Sequence, residues 1–273
     1  STPKPSSAAS DVYKRQDVSH GALVMLGVAL VIGSGCTVNN VIDRDIDRVM
    51  QRTQARAMAT GRISLGSALA FAGILAAAGF WLLHVATRQG QPLVLMFIGY
   101  VVYVGLYSLC LKRRSVQATL VGGVAGAVPP VVGYCSVSGT IDSAALCLFV
   151  IYGIWQVPHS YAIAIFRWND YAVASIPVLP LVKGRRQAKR HIVVYIGGFL
   201  VAALSLAALG YVGNLYIAVV LLSGILWLKT AMDGFSTRDD ARWARRVFAV
   251  SIAVVVLISA AMAIDATGGP LAH

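Results

Sequence analysis

Eight apolar runs dominate the chain, at about 21–42, 65–86, 92–110, 116–137, 141–166, 191–210, 214–230 and 246–264. Each approaches the roughly 20 residues that an α-helix needs to cross a bilayer core. Polar residues collect between the runs, and the connections are short except at 43–64, 167–190 and 231–245. The pattern predicts one all-α integral membrane bundle of eight transmembrane helices over residues 17–273, with no room for a separate soluble domain. Composition agrees: the 273 residues are 58% hydrophobic and 12% charged, with mean hydropathy +0.72.

A net charge of +12 invites a nucleic-acid reading, but its placement argues against one. Of 23 Lys and Arg, 5 lie in 43–64, 3 in 112–114, 6 in 167–190 and 5 in 229–246. The alternate connections carry Arg88 and almost nothing else. This is the positive-inside pattern, so every second loop is expected on the cytoplasmic side of a bacterial inner membrane. Binding of an anionic substrate there would be a second use of the same charge. The four cysteines, Cys36, Cys110, Cys135 and Cys147, fall inside spans without metal-ligand spacing and read as small core residues.

The first 16 residues, STPKPSSAASDVYKRQ, break the pattern. They are polar, lack the apolar core of a signal peptide, and place Lys4, Lys14 and Arg15 on the side the loop parity makes non-cytoplasmic. We expect them to be a non-native leader standing where an earlier helix would be.

Asn39, Asp43 and Asp47 follow the first run at intervals of four. Four residues advance a helix by about 400°, so the amide and both carboxylates share one face if the helix continues through them, with Asp45 opposite. Oxygen ligands at a helix mouth suit a hard cation such as Mg2+, which is commonly shared with substrate phosphates. The plainer alternative is a solvated helix with Asp–Arg pairs and topology-setting arginines. It accounts for Arg44, Arg48, Arg52, Arg56 and Arg62 better than for polar groups at a membrane boundary.

Other spans carry weaker signals. Pro129 and Pro130 should kink or break the 116–137 span, whose Gly122, Gly123 and Gly126 permit close helix approach. The 141–166 span is the most polar, with Trp155, Gln156, His159, Ser160 and Tyr161 in its second half. Such groups face a cavity or bond a neighbouring helix. The 167–190 loop offers one carboxylate, Asp170, with Tyr171, Lys183, Arg185 and Arg186, while Lys112, Arg113 and Arg114 lie in the loop between. Cations around a diphosphate would stabilise charge developing on it as it leaves.

Three stretches together strongly resemble the UbiA superfamily of intramembrane prenyltransferases: NNVIDRDIDRVMQRTQARAMATGRIS, YSLCLKRRSVQATLVGGVAGAVPPVVGY and IWQVPHSYAIAIFRWNDYAVASIPVLPLVKG. The superfamily's Asn-x3-Asp-x3-Asp motif maps onto Asn39, Asp43 and Asp47. The Trp-Gln-x-Pro-His stretch and the Asn-Asp-Tyr loop resemble the branch with a haem acceptor. The resemblance implies transfer of a farnesyl group from farnesyl diphosphate to a vinyl group of haem b, giving haem O. Asn39, Asp43 and Asp47 would hold Mg2+; Arg48, Lys112, Arg113, Lys183 and Asp170 would serve the diphosphate. His159, Trp155, Gln156 and Tyr161 would serve the haem. A haem A synthase or terminal oxidase assembly would be the downstream partner, and nucleic acid would not be one. Two departures stand out. Quinone-type relatives carry a second Asp-x3-Asp where Asp170 stands alone, and the family has nine helices against eight here. An aromatic quinone-precursor prenyltransferase and a proton-coupled transporter remain the competing readings.

Overall fold

In a computed structural model, residues 7–87 and 90–267 are described, with side chains described from Ser19 onward. Residues 1–6 of the expected leader and Arg88 lie outside the described residues. The chain folds as α1 (Ser7–Ile42), α2 (Arg44–Val49), α3 (Leu65–Thr87) and α4 (Gly90–Val101), the last continuing as a π-helix, Val102–Leu111. Then follow α5 (Ala118–Ser138), α6 (Ser143–Phe166), α7 (Trp168–Val173), α8 (Leu179–Lys183), α9 (Arg185–Ala208), α10 (Asn214–Met232) and α11 (Asp240–Ile264). Eight helical segments among the described residues are long and apolar enough to cross a membrane. Backbone from Ser7 is helical and continuous with the first of them.

The helices form two groups. One combines α1, α3, α4 and α5 around Val31, Leu83, Met96 and Val132; the other combines α6, α9, α10 and α11 around Ile192, Phe199, Tyr216 and Trp227. They meet along the α5–α6 seam. Lipid tails give no hydrophobic drive between helices, so close packing must hold them. A Cβ at Gly27 would stand 3.0 Å from the Gly79 carbonyl, and one at Gly79 2.8 Å from that of Gly27. The α1 and α3 backbones therefore touch. At the seam, a Cβ at Gly123 would lie 3.1 Å from the Gly153 carbonyl. Outward-facing Met25, Trp81, Val137 and Leu222 remain exposed, as a lipid-facing surface requires.

Four details differ from the sequence reading. Pro129 and Pro130 sit inside an uninterrupted α5, so they do not break it. Membrane helices tolerate such losses where neighbouring groups satisfy the freed carbonyls. The 167–190 and 231–245 connections are shorter than expected, because α9 starts at Arg185 and α11 at Asp240. The third span ends in π rather than α geometry, with the Lys112 amide donating to the Tyr107 carbonyl at 2.9 Å. Finally, α1 stops at Ile42, with a one-residue turn at Asp43 before α2.

Candidate active site

The turn at Asp43 does not disturb the face shared by the three motif residues. The Asp43 amide donates to the Asn39 carbonyl at 2.9 Å and the Asp47 amide to the Asp43 carbonyl at 2.8 Å, so the four-residue register runs through the break. All three side chains are buried, at 9%, 1% and 2% exposure for Asn39, Asp43 and Asp47. Asp45 points the other way and is exposed.

Each motif side chain has one partner from elsewhere in the fold. Ser108 Oγ donates to Asn39 Oδ1 at 2.9 Å, Lys112 Nζ donates to Asp43 Oδ2, and Arg56 Nη1 donates to Asp47 Oδ2 at 2.8 Å. Ser108 and Lys112 come from the π-helix and the residue that follows it. Widening the turn brings positions five apart within hydrogen-bond reach, and the single Ser108 hydroxyl proton is shared between Asn39 Oδ1 and the Tyr103 carbonyl 2.8 Å away. Tyr103 and Tyr107 stack at 5.7 Å on the same segment. Asp43 Oδ1 is the exception: it is buried with no hydrogen-bond partner, and Arg113 Nη2 stands 4.0 Å away.

These groups enclose a polar chamber of about 290 Å³, lined by Asn39, Asp43, Asp47, Lys112, Arg52 and Arg56, with Tyr107, Gln156, Ser160 and Tyr171 completing its wall. An apolar cavity of about 320 Å³ adjoins it, sharing Tyr103, Gly122 and Gln156 and running to Val31, Met96 and Pro129. Burial pushes the Tyr171 hydroxyl above its ordinary pKa, outweighing the opposite pull of Arg52, so it stands at the chamber as a neutral donor.

The other residues singled out in the sequence are distributed unevenly. Lys112 lines the chamber. Arg113 instead clasps exposed Asp45 through both oxygens, at 2.7 and 2.6 Å, and bonds the Ile42 carbonyl at 2.7 Å. That guanidinium holds the Asp45 carboxyl at about 2, and Asp45 raises the pKa of Arg113 in turn. Arg48 bonds the Ala59 carbonyl at 2.9 Å and organises the 50–62 loop. Lys183 is exposed at the end of α8, and Asp170 is buried 4.0 Å from Arg167; neither lines the chamber. Gln156 lines both cavities, whereas Trp155 and His159 face α11 and Tyr161 faces His191 of α9. Arg52, Arg56 and Tyr107 line the chamber and Ser108 bonds Asn39 beside it, and sequence reasoning did not select any of the four. Among loop arginines, no local signal separates the two that turn inward.

The donor set fits a hard divalent cation. Among the described residues no three His, Cys, Asp or Glu side chains converge, so protein ligands would be few. Mg2+ keeps most of its coordination for water and phosphate and takes one or two carboxylates, and the unpaired Asp43 Oδ1 is a ready ligand atom.

A helical membrane bundle with paired carboxylates and cations at one mouth and an apolar cavity behind them is the architecture of an intramembrane prenyltransferase. Residues 7–264 match the UbiA prenyltransferase family, and the chain belongs to that family. Its relatives include protoheme IX farnesyltransferase of Photorhabdus laumondii, 49% identical over 88% of this chain and 82% of the relative. Protoheme IX farnesyltransferase 2 of Pseudomonas fluorescens is 52% identical over 88% and 81%. Among solved structures, one concerned with digeranylgeranylglyceryl phosphate synthase in membranes aligns with TM-score 0.74 at 16% identity, covering 91% of this chain and 86% of the other. A UbiA homologue from Archaeoglobus fulgidus bound to GPP and Mg2+ aligns with TM-score 0.64 at 14% identity, over 89% and 88%. These two share the fold.

Proposed function

We propose that this membrane prenyltransferase transfers a farnesyl group from farnesyl diphosphate to haem b, giving haem O. The observation that carries the reading is the chamber itself. Two buried carboxylates and an amide face a lysine and two arginines at a helix mouth, with an apolar cavity directly behind. The choice of donor and acceptor is supported by relatives about half identical to this chain and named protoheme IX farnesyltransferase.

The diphosphate would sit among Lys112, Arg52 and Arg56, whose charges stabilise the negative charge that grows on it as the carbon–oxygen bond to the farnesyl group breaks. Asn39, Asp43 and Asp47 would hold Mg2+. When bound, that ion supplies divalent charge to the phosphate oxygens and makes the diphosphate a better leaving group. The farnesyl tail would lie in the adjoining apolar cavity, and its first carbon would become cationic beside the Tyr103–Tyr107 stack, where aromatic faces attract positive charge. A haem vinyl group attacks that carbon as diphosphate leaves, and water adds to the resulting cation and loses a proton, giving the hydroxyl of haem O. The arginine-rich loops support a cytoplasmic position for this chemistry, at a bacterial inner membrane.

Membranes containing the chain, given haem b, farnesyl diphosphate and Mg2+, should form haem O detectable by mass spectrometry. Chelating divalent ions with EDTA should abolish the product, and Mg2+ should restore it. Absence of haem O from membranes containing properly folded chain would reject the reading.

A further inference from the structure

A second polar cavity, of about 410 Å³, lies at the junction of α10 and α11 and shares no lining residue with the chamber. That volume falls within the roughly 300–1,000 Å³ of small-molecule pockets. It sits at the same end of the bundle. Arg245 stands 6.0 Å from the Phe166 ring at the end of α6, one turn beyond Ile163 of the chamber wall. The lining includes Arg238, Arg242 and Arg246, together with Asp233, Asp239 and Trp243. Its indole wall is held firmly. Trp243 is 4% exposed, donates through Nε1 to the Thr230 carbonyl at 2.8 Å, and lies 5.2 Å from the Lys189 ammonium. Lys189 in turn bonds the Gly234 carbonyl at 2.6 Å, and the chain passes so close that a Cβ at Gly234 would collide with the indole.

The three lining guanidiniums are exposed and make no ion pair among the described residues. By contrast Lys112, Arg56 and Arg113 are committed to Asp43, Asp47 and Asp45, and Arg185 and Lys189 to Asp240. Of the two lining carboxylates, Asp239 spends Oδ1 on the Arg242 amide at 2.9 Å. Three positive charges against two negative leave the cavity net cationic. Membrane topology asks only that cations lie on one side. It does not ask that they share a cavity, nor a helix face with apolar residues. Steps of three and four keep side chains on one face, and Arg242, Arg246, Ala249, Ala253 and Val256 follow that spacing down α11. All five are exposed, so two guanidiniums stand over an apolar strip that faces lipid.

A phosphate head joined to acyl chains has the same layout. We propose that this cavity binds the phosphate headgroup of an anionic phospholipid, with its acyl chains along the α11 strip at 249–256. Guanidiniums hold phosphate oxygens through paired N–H donors, and basic pockets between membrane helices take anionic headgroups. The cationic lining favours a net anionic headgroup over a zwitterionic one, and the apolar strip favours a lipid over free phosphate. Arg238 precedes α11, whereas Arg242 and Arg246 belong to it. One headgroup among them therefore clamps the α10–α11 turn onto the helix, and the lipid acts as a stabilising ligand, not as a reactant. The site is separate from the transfer chemistry and does not depend on that reading.

The test is thermal unfolding of the full chain in neutral detergent with added phosphatidylglycerol, phosphatidylcholine or inorganic phosphate. Bound lipid is counted in parallel by native mass spectrometry. Phosphatidylglycerol should raise the unfolding midpoint by about 5 °C, and the other two should leave it unchanged. The Arg242→Gln/Arg246→Gln double variant should hold phosphatidylglycerol about tenfold more weakly and lose the shift, while unfolding without lipid at the parent midpoint. The lipid count needs no unfolding, so it reads this variant even where its own midpoint has fallen. Arg186→Gln/Arg190→Gln removes the same charge from exposed positions of α9 outside the cavity, and should keep both binding and shift. No shift with phosphatidylglycerol, an equal shift with phosphatidylcholine or phosphate, or equal losses in the two double variants would overturn the site.

Discussion

At the scale of single residues, Asp43 is the most exposed to experiment because its two oxygens differ. One is held by Lys112 and the other is unpaired in a buried setting. Asp43→Asn keeps the shape but removes the charge, and should lower the rate of haem O formation by about 10²-fold or more, the scale seen when a charge-stabilising group is lost. Lys112→Met would instead leave a buried carboxylate uncompensated, so thermal unfolding in detergent should show destabilisation of about 3 kcal/mol as well as lost turnover. Arg56→Ala should cut turnover at least about tenfold, whereas Arg48→Ala should act mainly through loop order, because Arg48 is spent on the Ala59 carbonyl.

Asp45 gives the contrast in pH dependence. Its carboxyl is depressed from 3.8 to about 2 by the Arg113 hydrogen bonds. A lowered folded-state pKa contributes stability above the unfolded value, and that contribution is lost as pH falls through the folded one. The pair should therefore stay constant from pH 7 to about 5 and fade between about 4 and 2. Both side chains are well exposed, so solvent screening keeps its worth under about 1 kcal/mol. Melting curves of Asp45→Asn and the parent chain should differ little at pH 7 and converge near pH 2. The row Asn39, Asp43, Asp47 was legible in the sequence because a four-residue interval survives local changes of helix geometry. The inward turn of Arg52 and Arg56, against the outward use of Arg113, was not, since it depends on how the 50–62 loop folds back over α2.

Among elements, the α1–α3 contact and the π-helix divide what sequence can and cannot reveal. Hydropathy found all eight spans, because apolar length is dictated by bilayer thickness, but started α9 and α11 late because their first turns are charged. It carried no sign that Val102–Leu111 is π-helical: the stretch is apolar apart from Ser108, and the wide turn answers to partners on other helices. Nor does the double proline predict its own outcome, since neighbouring helices decide whether α5 stays whole. The glycine contacts allow a paired comparison. Gly79→Ala places a methyl 2.7 Å from Val31 Cγ2 and 2.8 Å from the Gly27 carbonyl, and should cost about 1–3 kcal/mol in detergent unfolding. Gly73→Ala, on the same helix with nothing within 4 Å, should leave stability unchanged or slightly raised.

For the whole molecule, the two helix groups define a division of labour. The α1–α5 group supplies the motif, the π-helix and most of the apolar cavity; the α6–α11 group supplies Gln156, Ser160 and Ile163. The long polar loops at 43–64 and 167–190, one beside each group, were legible in the sequence; the α5–α6 seam that joins the groups was not. The pairing of Asp43 with Lys112 and Asp47 with Arg56 has a consequence for the life history of the protein. A chamber that carries its own counter-ions can be threaded into a bilayer and folded with no metal at hand. Under the proposed Mg2+-dependent mechanism, assembly and activation are then separate events, and chain made without divalent ions should be folded but silent until Mg2+ is added.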